Sequence, residues 1–230
     1  MKVLIDVGNT SLKVALQQEG ELSFCHVTNI PWQSVNELIY ACVGKSELLD
    51  EQLVIAKHYH IPCFEAAVTK QLGGLLCGYE NVSNLGIDRW IALIACYTLF
   101  PNKACIVIDA GTATTIDVLT PDGQHLGGWI IPGLDLMTSS LTQNTQRVFD
   151  DNTTQFVAEL GTNTPNGLKN GALMATLGAI EQAKLQLTAQ NPTIIFAGGY
   201  GKMLSEHFQG GIFDEMLVMK GLNYWRNLTQ

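Results

Sequence analysis

Apolar and polar positions change period several times along this chain. Lys2–Val7 is a near-continuous apolar run of strand length and reads as a buried strand. Leu12–Leu16 and Leu22–Val27 read as two further strands with a turn at Glu19-Gly20 between them, so the opening predicts a three-strand meander. Ser34–Ile39, after Pro31, has the character of a helix start. Ser46–His58 predicts an amphipathic helix with Ser46 as its N-cap, and Ile61–Ala66 a short strand. From Asp88 to about Leu99 the pattern is helical and largely apolar, stopped by Pro101.

The second half repeats this order. Cys105–Asp109, Thr114–Leu119 and His125–Ile131 predict three strands, the last two joined by a turn at Pro121-Asp122-Gly123. Helical patterns follow at about Leu134–Gln146 and Leu168–Thr188, separated by a loop-like stretch, Asn152–Gly167, rich in Thr, Asn and Gly. Thr193–Ala197 predicts a strand opening onto Gly198-Gly199, and Met216–Met219 a final strand. The expectation is an α/β chain of two similar halves, 1–104 and 105–230. Each half is a mixed sheet of three antiparallel strands, then alternating helices and strands, with packed helices. No low-complexity linker separates the halves, which implies close packing with a cleft between them.

The halves share more than pattern. Ile5-Asp6-Val7-Gly8-Asn9-Thr10 leads into Ser11–Leu16, and Ile108-Asp109-Ala110-Gly111-Thr112-Ala113 leads into Thr114–Leu119. Asp, Gly and the later turn Gly (Gly20, Gly123) keep register across the copies. A strand ending in Asp-x-Gly before a tight hairpin suits phosphate: the Gly lets backbone approach an anion, and successive amides can point at it. The carboxylate can hold a cation or a water. One copy alone would pass for an ordinary hairpin; two in register favour a pair that brackets the phosphates of a nucleotide.

Composition narrows the partners. The chain has 230 residues, 47% hydrophobic and 15% charged, enough for one large or two small cores. Net charge is −8, and the only arginines are Arg89, Arg147 and Arg226, so there is no basic stripe and nucleic-acid binding is not expected. An acidic protein that binds an acidic ligand must concentrate its cations locally, which draws attention to Lys13 and Arg89. The six cysteines form no CxxC pair and read as reduced thiols in a cytoplasmic protein. His58, His60 and Cys63 fit no usual zinc spacing. The apolar start is too short for a signal peptide, and the longest apolar run, Trp90–Phe100, is too short for a membrane span.

The duplicated meander with Asp-x-Gly on its first hairpin resembles the actin, sugar-kinase and chaperone ATPase superfamily, which implies two duplicated ribonuclease-H-like halves with the active-site cleft between them. A series of motifs narrows the resemblance. These are Asp6-Val7-Gly8-Asn9-Thr10 with Lys13, Gly86-Ile87-Asp88-Arg89, Asp109-Ala110-Gly111-Thr112-Ala113-Thr114-Thr115 and Gly127-Gly128-Trp129-Ile130-Ile131-Pro132-Gly133. Asn163-Thr164, Gly198-Gly199 and Leu217 with Lys220-Gly221-Leu222 follow in the same order. Together they resemble type III pantothenate kinases over nearly the whole chain. The resemblance implies transfer of the ATP γ-phosphate to the primary hydroxyl of pantothenate, the first step toward coenzyme A. It implies a homodimer that needs magnesium and a monovalent cation, potassium or ammonium. By motif it assigns Asp6, Val7, Gly8, Asn9, Thr10, Ser11, Leu12 and Lys13 to ATP, with Thr112. Asp88 is assigned to catalysis, and Tyr79, Gly86, Ile87, Asp88, Arg89 and Thr164 to pantothenate. Asp109 is assigned to the monovalent cation. The chain departs from the family pattern in three places: Glu80–Asn84 lacks a Pro, Gly167 replaces an Ala, and the glycine pair follows Ala197 rather than a Thr.

Each residue has a plainer alternative. Phosphoryl transfer asks mainly for positioning and charge neutralisation. Asp6 suits a magnesium ion held partly through water, or it caps its turn. Lys13 can reach phosphate from the return strand, or it is a solvated strand lysine. Asp88 can serve as general base for the substrate hydroxyl, or as a helix N-cap. Arg89 can clamp the substrate carboxylate, or form a structural salt bridge. Thr112 follows Gly111 directly, so hydroxyl and amide suit phosphate; Thr112 and Thr114 are also ordinary β-formers. Gly198-Gly199 reads equally as a strand-to-helix turn and as a wall beside adenosine. The second hairpin has Ile116 where the first has Lys13, and a cation would offset the charge there. Two other functions fit less of the sequence: a kinase for another small hydroxy acid, and a non-catalytic regulator on the same ATPase fold.

Overall fold

A computed structural model describes residues 1–8, 11–187 and 191–230. In chain order its elements are β1 (Lys2–Val7), β2 (Leu12–Gln18), β3 (Glu21–Cys25), β4 (Glu37–Cys42), α1 (Glu47–His58), β5 (Cys63–Glu65), β6 (Gln71–Leu72), β7 (Leu75–Leu76) and α2 (Ile87–Leu99). They continue with β8 (Cys105–Ala110), β9 (Ala113–Leu119), β10 (His125–Pro132), α3 (Leu134–Asn144), α4 (Thr164–Lys184), β11 (Thr193–Ala197), α5 (Gly201–Ser205), β12 (Ile212–Phe213) and α6 (Leu217–Leu228).

The duplication is real at the level of topology. One five-stranded sheet runs β3-β2-β1-β4-β5 and the other β10-β9-β8-β11-β12, the same order with each strand replaced by its counterpart. In the first sheet β1 pairs antiparallel with β2 and parallel with β4. In the second, β11 pairs parallel with both β8 and β12. The fold is therefore mixed α/β, as expected. Two compact units form. The first is Met1–Lys103 with Leu119–Gly127 and Glu215–Gln230; the second is Ala104–Val118 with Gly128–Asp214.

In the first unit Val3, Ile5 and Val7 alternate onto one face of the sheet, with Leu49 and Ala56 of α1 against them. Helices α2 and α6 pack together and contact β4, and α6 also contacts β1. Helix α1 begins as predicted: the Ser46 side chain accepts from Leu49 N at 3.2 Å. In the second unit Ile106, Ile108, Ile116 and Phe196 form a core with Leu173, Leu177 and Ile180 of α4.

Two predicted elements are wrong. Ser34–Ile39 does not start a helix: Trp32–Ser34 is a single 3-10 turn, and Glu37–Cys42 is strand β4. Its central position beside parallel β1 buries apolar residues on both faces, which erases the alternation that marks a strand. Met216–Met219 is not a strand but the start of α6. Leu217, Gly221, Leu222 and Trp225 are among its buried positions and lie at helical spacing. A Cβ on Gly221 would collide with the Ile91 carbonyl, so the glycine lets α6 approach α2 closely. Some boundaries shift as well. Strand β3 stops at Cys25 because the His26 side chain caps the next turn, accepting from Thr28 N. Helix α4 starts at Thr164 rather than Leu168, because Asn163 caps it. Thr188, the predicted end of that helix, lies outside the described residues.

Candidate active site

Both hairpin aspartates occupy the same place. Asp6 and Asp109 are each the fifth residue of their first strand, and each faces an alanine on the parallel neighbour, Ala41 and Ala197. Across the antiparallel pair Asp6 lies directly opposite Lys13, which puts the two side chains on one sheet face with Cβ atoms about 5 Å apart. Val7 continues the pair opposite Leu12, and the Gly8 amide donates to the Ser11 carbonyl at 3.0 Å. Asn9 and Thr10, both in the expected ATP set, lie outside the described residues.

The connections differ between the hairpins. Gly8–Ser11 joins β1 to β2, but only Gly111-Thr112 joins β8 to β9. The Gly8 amide bonds the Ser11 carbonyl and the Gly111 amide the Ala113 carbonyl, so Lys13, two residues past Ser11, corresponds to Thr115 and not to Ile116. The second residue of β9 is Thr114, buried, with no hydrogen-bond partner for its hydroxyl among the described residues. The shorter turn moves every later position by one. Thr115, like Ile116, carries no charge.

Gly86 is the N-cap of α2 and contributes no side-chain cap. Asp88 therefore is not the N-cap. It sits one residue inside the first turn after Ile87, half-buried, and its Oδ1 accepts from the Arg89 amide at 2.9 Å. A carboxylate there is favoured by the positive end of the helix. A Cβ on Gly86 would crowd Asp88 Oδ1. Arg89 is 5% exposed. Its Nη1 donates to the Tyr79 hydroxyl at 2.8 Å, and its Cζ lies 5.5 Å from the Tyr79 ring centroid. Tyr79, which the residue pattern alone reads as a loop residue, thus joins Gly86, Asp88 and Arg89 in one cluster.

In the second unit, Gly198 (φ +81°) lies against Asp109: a Cβ there would collide with Asp109 Oδ1 and the Ala110 carbonyl. The Tyr200 amide donates to the same carbonyl at 3.0 Å. Gly133 packs equally closely on the second hairpin, its amide donating to the Thr112 carbonyl at 2.9 Å. A cavity of about 430 Å³ opens here, lined among others by Gly111, Thr112, Asp135, Gly199 and Tyr200. Tyr200 donates to Asp135 Oδ1 at 2.7 Å, and burial followed by that carboxylate pushes the phenol up to about 12. Thr164 is the exposed first residue of α4 and belongs to the second unit.

Sequence reasoning missed Asp135, Tyr200, Lys70 and His125. The first two follow recognised motifs by a residue or two. The latter two carry no local signal. Among the described residues no three His, Cys, Asp or Glu side chains converge as a metal cage. No helix among them is long and apolar enough to cross a membrane.

Solved structures share the fold. A Campylobacter jejuni protein, provisionally described as a Baf-family transcriptional activator, matches with a TM-score of 0.63 at 24% identity, covering 98% of this chain and 97% of that one. A Sinorhizobium meliloti protein, provisionally described as a 2-dehydro-3-deoxygalactonokinase, matches with a TM-score of 0.59 at 11% identity, covering 99% and 98%. In sequence, the type III pantothenate kinase of Colwellia psychrerythraea (strain 34H / ATCC BAA-681) is 32% identical over 99% of this chain and 96% of its own. That of Pseudoalteromonas translucida (strain TAC 125) is 66% identical over 100% and 98%. A profile of that family also matches residues 22–185. With near-complete coverage of both chains, this protein belongs to the type III pantothenate kinase family.

Proposed function

We propose that this chain phosphorylates the primary hydroxyl of pantothenate with ATP, giving 4'-phosphopantothenate and ADP. The observation that carries the reading is the cluster at the start of α2: a buried guanidinium, bonded to a tyrosine hydroxyl, directly beside a half-buried carboxylate. Such a cluster suits a small anionic substrate with a hydroxyl to be deprotonated. Arg89, with Tyr79 and the Gly86-Ile87 backbone, holds the pantothenate carboxylate and chain, and Thr164 contributes a hydroxyl. Asp88 accepts the hydroxyl proton as the oxygen displaces ADP from phosphorus.

The nucleotide is held by the Asp6–Lys13 hairpin and by Thr112. The cavity beside Gly199 and Tyr200 suits its nucleoside end. Single strand-end carboxylates fit cations that keep water and phosphate ligands rather than a full protein cage. Asp6 would hold magnesium. Asp109, whose Oδ1 and the neighbouring Ala110 carbonyl converge on Gly198, would hold potassium or ammonium. When bound, these ions offset phosphate charge. Lys13 adds protein charge on the first hairpin only. The reading includes a cytoplasmic homodimer and a duplication divided at 1–104 and 105–230, the latter supported by the matching strand orders.

A coupled assay of ADP release tests the function. Release should need pantothenate, magnesium, and potassium or ammonium together. Equal turnover without pantothenate would overturn the assignment.

A further inference from the structure

Tyr79 stands on backbone that cannot hold it unaided. It lies in an irregular stretch between β7 and the 3-10 turn at Val82–Asn84, with no strand or helix hydrogen bonds to fix its direction. Two side chains supply the missing constraint. Lys70 Nζ donates to the Cys77 carbonyl at 2.9 Å and the Tyr79 carbonyl at 3.1 Å, gripping the backbone. His125, fully buried at the first residue of β10, grips the ring. Its imidazole lies parallel to the Tyr79 ring, 6.0 Å between centroids at 11°. Its Nδ1 takes the Gly78 amide at 3.5 Å. Gly78 makes the approach possible, since a Cβ there would collide with the His125 carbonyl. Arg89 meets the same tyrosine through its hydroxyl and its ring. His125, Tyr79 and Arg89 thus form one packed row within the first unit.

We infer that His125 is a positioning residue for substrate recognition: by fixing the Tyr79 ring it fixes the Arg89 guanidinium that meets the pantothenate carboxylate. The inference rests on the proposed function of this site, and it assigns a role to a residue that touches neither reactant. A bidentate grip on a carboxylate depends on the plane of the guanidinium. Tyr79 contributes both a hydrogen bond and a ring face to holding that plane. A histidine that merely filled the core would have no coupling to Tyr79.

The test is a set of steady-state measurements on the full chain. His125→Ala should raise the KM for pantothenate about threefold to tenfold, the scale of one aromatic pair. The KM for ATP and kcat should stay within about twofold, the signature of lost ground-state binding. His125→Phe, which keeps a stackable ring, should recover most of the loss. In a Tyr79→Ala background, His125→Ala should add nothing further, because the row is already broken. His125→Leu, which keeps the buried volume without the ring, replaces His125→Ala if that variant fails to fold. Equal rises in both KM values, or losses that add in the double variant, overturn the inference and leave the kinase reading standing. A wild-type protein whose ADP release ignores pantothenate overturns both.

Discussion

Asp88→Asn separates chemistry from folding more cleanly than any other change in this site. Asp88 makes one structural contact, and the proposed reaction gives it a second job as general base. One oxygen accepts the Arg89 amide at 2.9 Å, at a helix start where Gly86 offers no side-chain cap. Asparagine keeps that acceptor, so the local hydrogen bond survives. What is lost structurally is the charge at the helix start, up to about 2 kcal/mol at a partly buried site. For a chain of this size each kcal/mol moves Tm by about 2–4 °C, so Tm should fall by no more than about 8 °C. Asparagine cannot take a proton. Loss of a general base costs about 10²–10⁴ in rate, or about 2.7–5.5 kcal/mol in the barrier. The expected result is a fall in kcat of at least about 10², with ATP binding by calorimetry nearly unchanged and Tm lowered by no more than that. Turnover within about tenfold of wild type, in a variant with Tm in that range, would reduce Asp88 to a residue that shapes the helix start.

Three further outcomes follow. Arg89→Lys keeps the charge but loses the planar fork that bonds Tyr79, so the KM for pantothenate should rise by about tenfold or more; an equal rise for ATP would make Arg89 structural. Asp109→Asn should abolish activation by potassium or ammonium, while Asp6→Asn should weaken magnesium dependence; titrating both variants with both ions tests the division, and normal monovalent activation in Asp109→Asn refutes it. Burial pushes the Glu37 carboxyl up, but Lys2 at 3.1 Å and Arg226 at 2.9 Å outweigh it and hold it below its ordinary value of 4.5. A depressed folded value stabilises above the unfolded value and is lost as pH falls through the folded one. Glu37→Gln should therefore lower Tm at pH 7, and the gap should close below about pH 4.5; a gap that does not change with pH refutes the pairing.

Much of the site was legible because its residues are bound to short-range geometry. Asp6 and Asp109 precede glycines at strand ends, and Asp88 opens a helix. Such placements depend on a few consecutive residues. Ser46 as a cap and the first turn at Glu19-Gly20 are equally local. Equivalence between the hairpins was less so. Counting residues matched Lys13 to Ile116, while the backbone pairing matches it to Thr115. Only the backbone path reveals a one-residue difference.

By itself the sequence determined the order of most elements, the duplicated meander, the two Asp-x-Gly hairpins and the motif series that led to the family. Each is written in local periodicity, turn chemistry or spacing. Tertiary structure decided the rest. Strand β4 exists because β1 pairs with it, and its apolar run alone reads either way. Helix α6 is read correctly only against α2, where Gly221 meets the Ile91 carbonyl. Tyr79 became part of a site when Arg89 and His125 closed around it, and Gly198 when it settled on Asp109. These contacts join residues far apart in the chain, and no period or spacing encodes them: they depend on which surfaces the packed sheets and helices bring together.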